Sequence, residues 1–114
     1  MQIFKALFGG GNSTTVTEVK AQIDGGKKPY IIDVRQSAEF KSGHISGAHL
    51  IPLDKLNQNM GKLPKDREIL CVCRSGARSG MAARQLINAG YSATNMRGGM
   101  LSWQSAGFPI VRGK

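Results

Sequence analysis

Cysteine is scarce in this chain, and its two copies, Cys71 and Cys73, stand only two residues apart. A bridge between such neighbours would be strained, so no disulfide framework can hold the fold. A reducing, cytoplasmic setting is therefore expected. Metal ligands are equally short: a zinc site needs two more ligands, and His44 and His49 sit at no metal-binding spacing from the cysteines. Neither metal nor cofactor is expected. Aromatic residues number seven in 114, and the sixteen basic residues, against seven acidic, are spread along the chain rather than gathered with rings into a stripe. The net charge of +9 favours anionic partners. Without that stripe it reads as a solvated basic surface, and nucleic acid is not an expected partner. No apolar run approaches the roughly 18 residues that a membrane span requires. The apolar patch Ile3, Phe4, Leu7 and Phe8 is too short for a signal peptide. With Gly9 to Gly11 it reads as a flexible leader over residues 1–12, ahead of one domain over residues 13–114. Nothing demands more than a monomer.

Glycine, in contrast, is plentiful at fifteen residues, which implies many tight turns. Thr15 and Glu18 have capping-box spacing, with Val19 and Ile23 following at helical spacing and Gly25-Gly26 as a stop. "PYIIDV" and "EILCV" are short apolar, β-branched runs of the kind buried in parallel sheets, and "GAHLIPL" is a third, shorter strand. One or two helical turns are expected from Ser37 to about Lys41. A helix is expected over Leu53, Leu56, Met60 and Leu63, and another from Met81 to Ala89 ending at Gly90. "SATNMR" is a weak strand and "GGMLSWQSAG" a last helix. This alternation gives an α/β fold with a largely parallel sheet and helices on both faces. Ligands of such sheets gather beyond the carboxyl ends of the strands, and Cys73, Asp33 and Arg35 all lie there.

The segment Cys73 to Arg78, "CRSGAR", bridges the end of a strand and a helix expected to begin about Ser79. A loop of that length, with Gly76 near its middle, can turn successive N–H groups inward as an anion nest. The following helix adds positive potential, and Arg74 and Arg78 add two charges. A thiol in such surroundings titrates below its free value of about 8.5, and the thiolate is the nucleophile. Cys73 is thus the candidate catalytic residue, with Arg74, Ser75, Gly76, Ala77 and Arg78 as the candidate substrate cradle. An inert, buried thiol is the competing reading of Cys73. Cys71 reads as core filling, with a resolving thiol as the alternative. Arg78 either meets substrate or braces the loop, and Ser79 either donates its hydroxyl or caps the helix. His44 reads as a hydrogen-bonded scaffold residue, and Trp103, Phe40 and Phe108 as core or pocket wall.

Three stretches resemble the single-domain rhodaneses, the thiosulfate sulfurtransferases: "IIDVRQSAEFKSGHISGAHLIPL", "CRSGARS" and "MRGGMLSWQSAGFPI", the last with Gly98, Gly99, Trp103, Gly107 and Pro109. The match runs from about Thr15 to near the end. It implies a five-stranded parallel sheet and Cys73 as sulfur acceptor from thiosulfate or a related donor, passing the sulfur to cyanide, a small thiol or a protein thiol. Read alone, Asp33 and Arg35 look catalytic; the resemblance implies instead that they support the site by tying the strand end to nearby loops through an ion pair. Phosphatases and arsenate reductases of the same fold use C-x5-R, whereas four residues separate Cys73 from Arg78. The shorter ring suits attack on sulfur. A persulfide carrier loaded by a partner protein is the second reading.

Overall fold

A computed structural model describes residues 12–114. Among the described residues five strands and five α-helices alternate: β1 (Ser13–Thr14), α1 (Val16–Asp24), β2 (Tyr30–Asp33), α2 (Ser37–Ser42), β3 (His49–Leu50), α3 (Leu56–Asn59), β4 (Ile69–Val72), α4 (Ala77–Asn88), β5 (Ala93–Met96) and α5 (Gly99–Ser105). The strands form one sheet in the order β1-β5-β4-β2-β3, and every pairing is parallel. Among the described residues no helix is long and apolar enough to cross a membrane.

The pleat sorts the apolar runs into two cores. Ile32, Ile69, Cys71 and Cys73 point to one face, where they pack with Leu56 of α3 and Ala82, Ala83 and Leu86 of α4. Their neighbours Ile31, Leu70 and Val72 point to the other, against Val16 and Val19 of α1 and Met100 and Trp103 of α5. Successive side chains of a strand face opposite ways, so a continuous apolar run is what a sheet covered on both faces requires. This places the two-faced helical cover where the alternating pattern expects it.

Capping is local and legible. Thr15 accepts the Glu18 N–H at 3.1 Å, closing the start of α1. The α2 helix opens with a capping box in which the Gln36 N–H reaches Glu39 Oε1 at 2.9 Å. One expectation needs correction. The single helix expected over Leu53–Leu63 is broken into a 3₁₀ turn at Leu53–Lys55, the one-turn α3, and a second 3₁₀ turn at Met60–Lys62. Asn59 turns its side chain back onto the Lys55 carbonyl at 2.8 Å, and such local bonds compete with a continuing helix. Leu56 and Leu63 are nevertheless buried as their spacing predicts. The five-stranded parallel sheet is as the resemblance implies, with β1, two residues long at the sheet edge, as the strand that no apolar run marks.

The expected leader falls almost entirely on residues 1–11, outside the described residues. Asn12 is described, and its carbonyl accepts the Asn95 N–H at 2.9 Å.

Candidate active site

Strand β4 ends at Val72, so Cys73 emerges at the carboxyl edge of the sheet, in the gap between β5 and β2. The chain then turns sharply, and Gly76, at φ +103°, sets the left-handed corner. A side chain at Gly76 would be strained there and would press on the Gly98 N–H at 3.1 Å. Because Gly76 completes the turn so abruptly, α4 starts at Ala77 rather than near Ser79. Ser79 therefore sits in the first turn of the helix, fully buried, and its hydroxyl does not cap the helix. It lies 3.3 Å from Cys73 Sγ and 2.5 Å from Asn95 Oδ1.

The loop's carbonyls and amides are sorted by direction. The first amides of α5 hold two carbonyls from outside: Met100 N–H bonds Cys73 O at 2.9 Å and Leu101 N–H bonds Arg74 O at 3.0 Å. The Gly76 carbonyl takes the Gly80 N–H and the Asn95 Nδ2 donor, each at 3.1 Å. With its carbonyls tied back, the loop turns N–H groups toward the sulfur. Gly76 N–H reaches Sγ at 3.1 Å. Burial favours the neutral thiol, but the Ser79 hydroxyl and the amides of Ser79, Gly76 and Ser75 outweigh it and hold Cys73 below the ordinary thiol range. Cys73 itself is 1% exposed, whereas Arg74, Ser75 and Ala77 beside it lie at the surface.

Cys71 shares the face of Cys73 but is fully buried in the core, and burial, with Glu68 and Cys73 nearby, pushes its thiol far up. The two thiols, two residues apart, are thus opposite in character.

Of the two loop arginines, Arg78 is bonded to another side chain and Arg74 lies at the surface. Arg78 grips Glu39 of α2 in a two-pronged bridge, Nη1 to Oε1 and Nη2 to Oε2, both at 2.9 Å. Those hydrogen bonds, working against burial and helped by the Gln36 amide, hold the Glu39 carboxyl down to about 2. The Arg78 charge is largely offset by its partner, and Arg74 extends into solvent where its field is screened. Hydrogen bonds, more than guanidinium charge, therefore lower Cys73.

Asp33 and Arg35 form a buried ion pair at the end of β2, with Arg35 Nε to Asp33 Oδ1 at 2.8 Å and Nη2 to Oδ2 at 2.7 Å. Arg35 Nη2 also donates to the Gly43 carbonyl at 2.8 Å, lacing the β2 end to the loop before β3. His44 stacks on Phe40 with ring centroids 3.6 Å apart and places Nδ1 2.7 Å from the Phe40 carbonyl. Trp103 is 1% exposed and donates to the Pro109 carbonyl at 2.8 Å, while Phe108 packs edge-on against it. Two residues at the site, Glu39 and Asn95, were not assigned to it from sequence, and Gly99 entered only as part of a resembling segment. A polar Asn within the weak strand "SATNMR" was the only local sign of the second.

Comparisons with known proteins bear on the fold and the family. The family model described as Rhodanese-like domain matches residues 15–106. A sulfurtransferase of Allochromatium vinosum is 40% identical over 82 residues, covering 71% of this chain and 77% of that protein. Other relatives are longer, and this chain spans 24% of one and 48% of another. The solved structure of a rhodanese-like domain protein from Staphylococcus aureus superposes with a TM-score of 0.83 at 32% identity, covering 91% of this chain and all of that one. A thiosulfate sulfurtransferase from Pseudomonas aeruginosa gives 0.81 at 26% identity over 90% of this chain and 20% of its own length. The chain belongs to the rhodanese-like domain family, whose members include sulfurtransferases.

Proposed function

We propose that this domain transfers sulfane sulfur through a persulfide on Cys73, with thiosulfate or a related anionic donor as substrate. The observation that carries the reading is the direction of the loop's hydrogen-bond donors: they converge on one sulfur, with Gly76 N–H at 3.1 Å. In the first half-reaction the Cys73 thiolate attacks the outer sulfur of thiosulfate. The new S–S bond forms as the old one breaks, and sulfite departs with the bonding electrons. The same donors then stabilise the terminal sulfur anion, Cys–S–S⁻. In the second half-reaction cyanide or a thiolate takes that sulfur and Cys73 returns as thiolate. The first four amides of a helix have no partner within it. Gly76 turns its amide to Sγ, and the amides of Ala77 and Arg78 in the first turn are placed for the donor's oxygens. Electrostatic stabilisation by prepositioned donors is the main catalytic device of such a cradle.

The test is the mass of the protein after thiosulfate treatment, together with thiocyanate formation from thiosulfate and cyanide. A gain of about 32 Da on Cys73, absent from Cys73→Ser, is expected. Thiocyanate formation undiminished in Cys73→Ser refutes the reading. Loading by a protein persulfide donor with negligible thiosulfate turnover would favour a carrier instead, and Cys73-dependent hydrolysis of an aryl phosphate would favour the phosphatase chemistry of related folds.

A further inference from the structure

Ser79 has one hydroxyl hydrogen and two acceptors within reach. Its Oγ lies 2.5 Å from Asn95 Oδ1 and 3.3 Å from Cys73 Sγ. The shorter contact is the stronger claim on that hydrogen. Nor can Asn95 yield by flipping its amide. Its Nδ2 donates to the Gly76 carbonyl at 3.1 Å, and a flip would set Oδ1 against that carbonyl, acceptor against acceptor. The backbone of the loop thus fixes the side-chain oxygen of Asn95 toward Ser79. The space beside it is kept by Gly80, where a Cβ would already lie 3.4 Å from Nδ2.

We propose that Asn95 is a positioning residue that holds the Ser79 hydroxyl hydrogen away from Cys73 while the sulfur is neutral, and releases it by a hydroxyl rotation when the sulfur becomes an anion. With the hydrogen on Asn95, a Ser79 lone pair faces Sγ and accepts the thiol S–H. Once the thiol proton has left for solvent, the same oxygen turns its hydrogen to S⁻, and the bond to Asn95 is given up. Asn95 therefore opposes ionisation, and Ser79 favours it. The persulfide anion, which presents the same charge one bond further out, draws on the same hydrogen. Asn95 would so adjust how readily the sulfur is discharged between half-reactions. This deepens the persulfide reading, since it concerns the sulfur on which that reading rests.

Other groups around the sulfur are accounted for. Cys71, on β4 two residues before the reacting sulfur, stays neutral in the core. Arg78 of α4 feels Cys73 and Asp33, the latter at the end of β2, while its guanidinium is bonded to Glu39 of α2. Asp33 is bonded to Arg35. None of these touches the Ser79 hydroxyl.

The experiment follows the rate of Cys73 alkylation by iodoacetamide against pH, in Cys71→Ala background so that a single thiol is read. It needs no sulfur donor, so its outcome is separate from that of the transfer assay. Asn95→Leu removes the competing acceptor at nearly constant size, and the midpoint of the profile is expected to fall by about one pH unit, the worth of one hydrogen bond. In a Ser79→Ala background the same substitution is expected to leave the midpoint in place, because no hydroxyl remains to be released. Should Asn95→Leu fail to fold, Asn95→Ala deletes the same oxygen without added bulk. A midpoint that is unchanged or raised by Asn95→Leu overturns the proposal. So does an equal fall with and without the Ser79 hydroxyl, which would mean that Asn95 acts only by bracing Gly76.

Discussion

Replacing Gly99 by alanine tests whether the active loop is held in shape from outside. Gly99 opens α5 at φ +55°, and a Cβ there would lie 2.5 Å from both the Cys73 and Arg74 carbonyl oxygens. Ordinary contact begins near 3.4 Å, so helix and loop would have to part by about 0.9 Å. Both atoms in the way are backbone, and neither can swing aside. The separation would stretch the Met100–Cys73 and Leu101–Arg74 hydrogen bonds, worth about 1 kcal/mol each. The left-handed backbone adds about 1 to 2 kcal/mol for any residue with a Cβ. Together these give a destabilisation of about 3 kcal/mol, a large share of the roughly 5–15 kcal/mol by which domains are stable. A displacement of this size at the reacting sulfur should slow persulfide formation about 100-fold. Gly47 supplies the control: it is also left-handed, at φ +86°, but nothing lies within 4 Å of its Cβ position. Gly47→Ala should therefore show the backbone cost of about 1 kcal/mol alone. Urea unfolding followed by circular dichroism measures the stabilities, and mass spectrometry of thiosulfate-treated protein measures the rate. A Gly99→Ala protein within about 0.5 kcal/mol of the Gly47→Ala control, loading sulfur at the parental rate, would refute the argument.

Glu39→Gln keeps an oxygen for the Gln36 amide but loses the charge that pairs with Arg78, and should cost about 1 kcal/mol at neutral pH. A carboxylate held below its unfolded value contributes stability that is complete above pH 4.5 and lost as pH falls toward 2, so the variant's stability should fall less than the parent's across that window; parallel curves in acid titrations would contradict this. Cys71→Ala leaves a small void in the core and should cost about 1 to 2 kcal/mol while sulfur loading on Cys73 proceeds unchanged. Loss of loading in a folded Cys71→Ala protein would bring that thiol into the chemistry.

Much of the architecture is contained in patterns that act over a few residues. Unbroken apolar runs such as Ile31–Ile32 and Ile69–Val72 can bury both faces only inside a covered parallel sheet, and the alternation with amphipathic helices leaves few topologies. The Thr15 cap and the placement of Cys73 beyond a strand end are equally local. Where local pattern and tertiary need conflicted, the helix expected over Leu53–Leu63 broke into short turns, with Leu56 and Leu63 buried and Leu53 and Met60 packed against the edge of the same core.

By itself the sequence determined the alternating α/β order, the two-faced sheet and a thiol set in a glycine-bearing loop, since each depends on neighbours along the chain. Only the tertiary structure decided how that thiol is tuned. Arg78 meets a carboxylate 39 residues away, Ser79 meets an amide 16 residues on, and two carbonyls of the loop are held by the start of α5. Hydrogen bonds are satisfied by whatever the fold brings within about 3 Å, and no periodicity in a chain records which distant partner that will be.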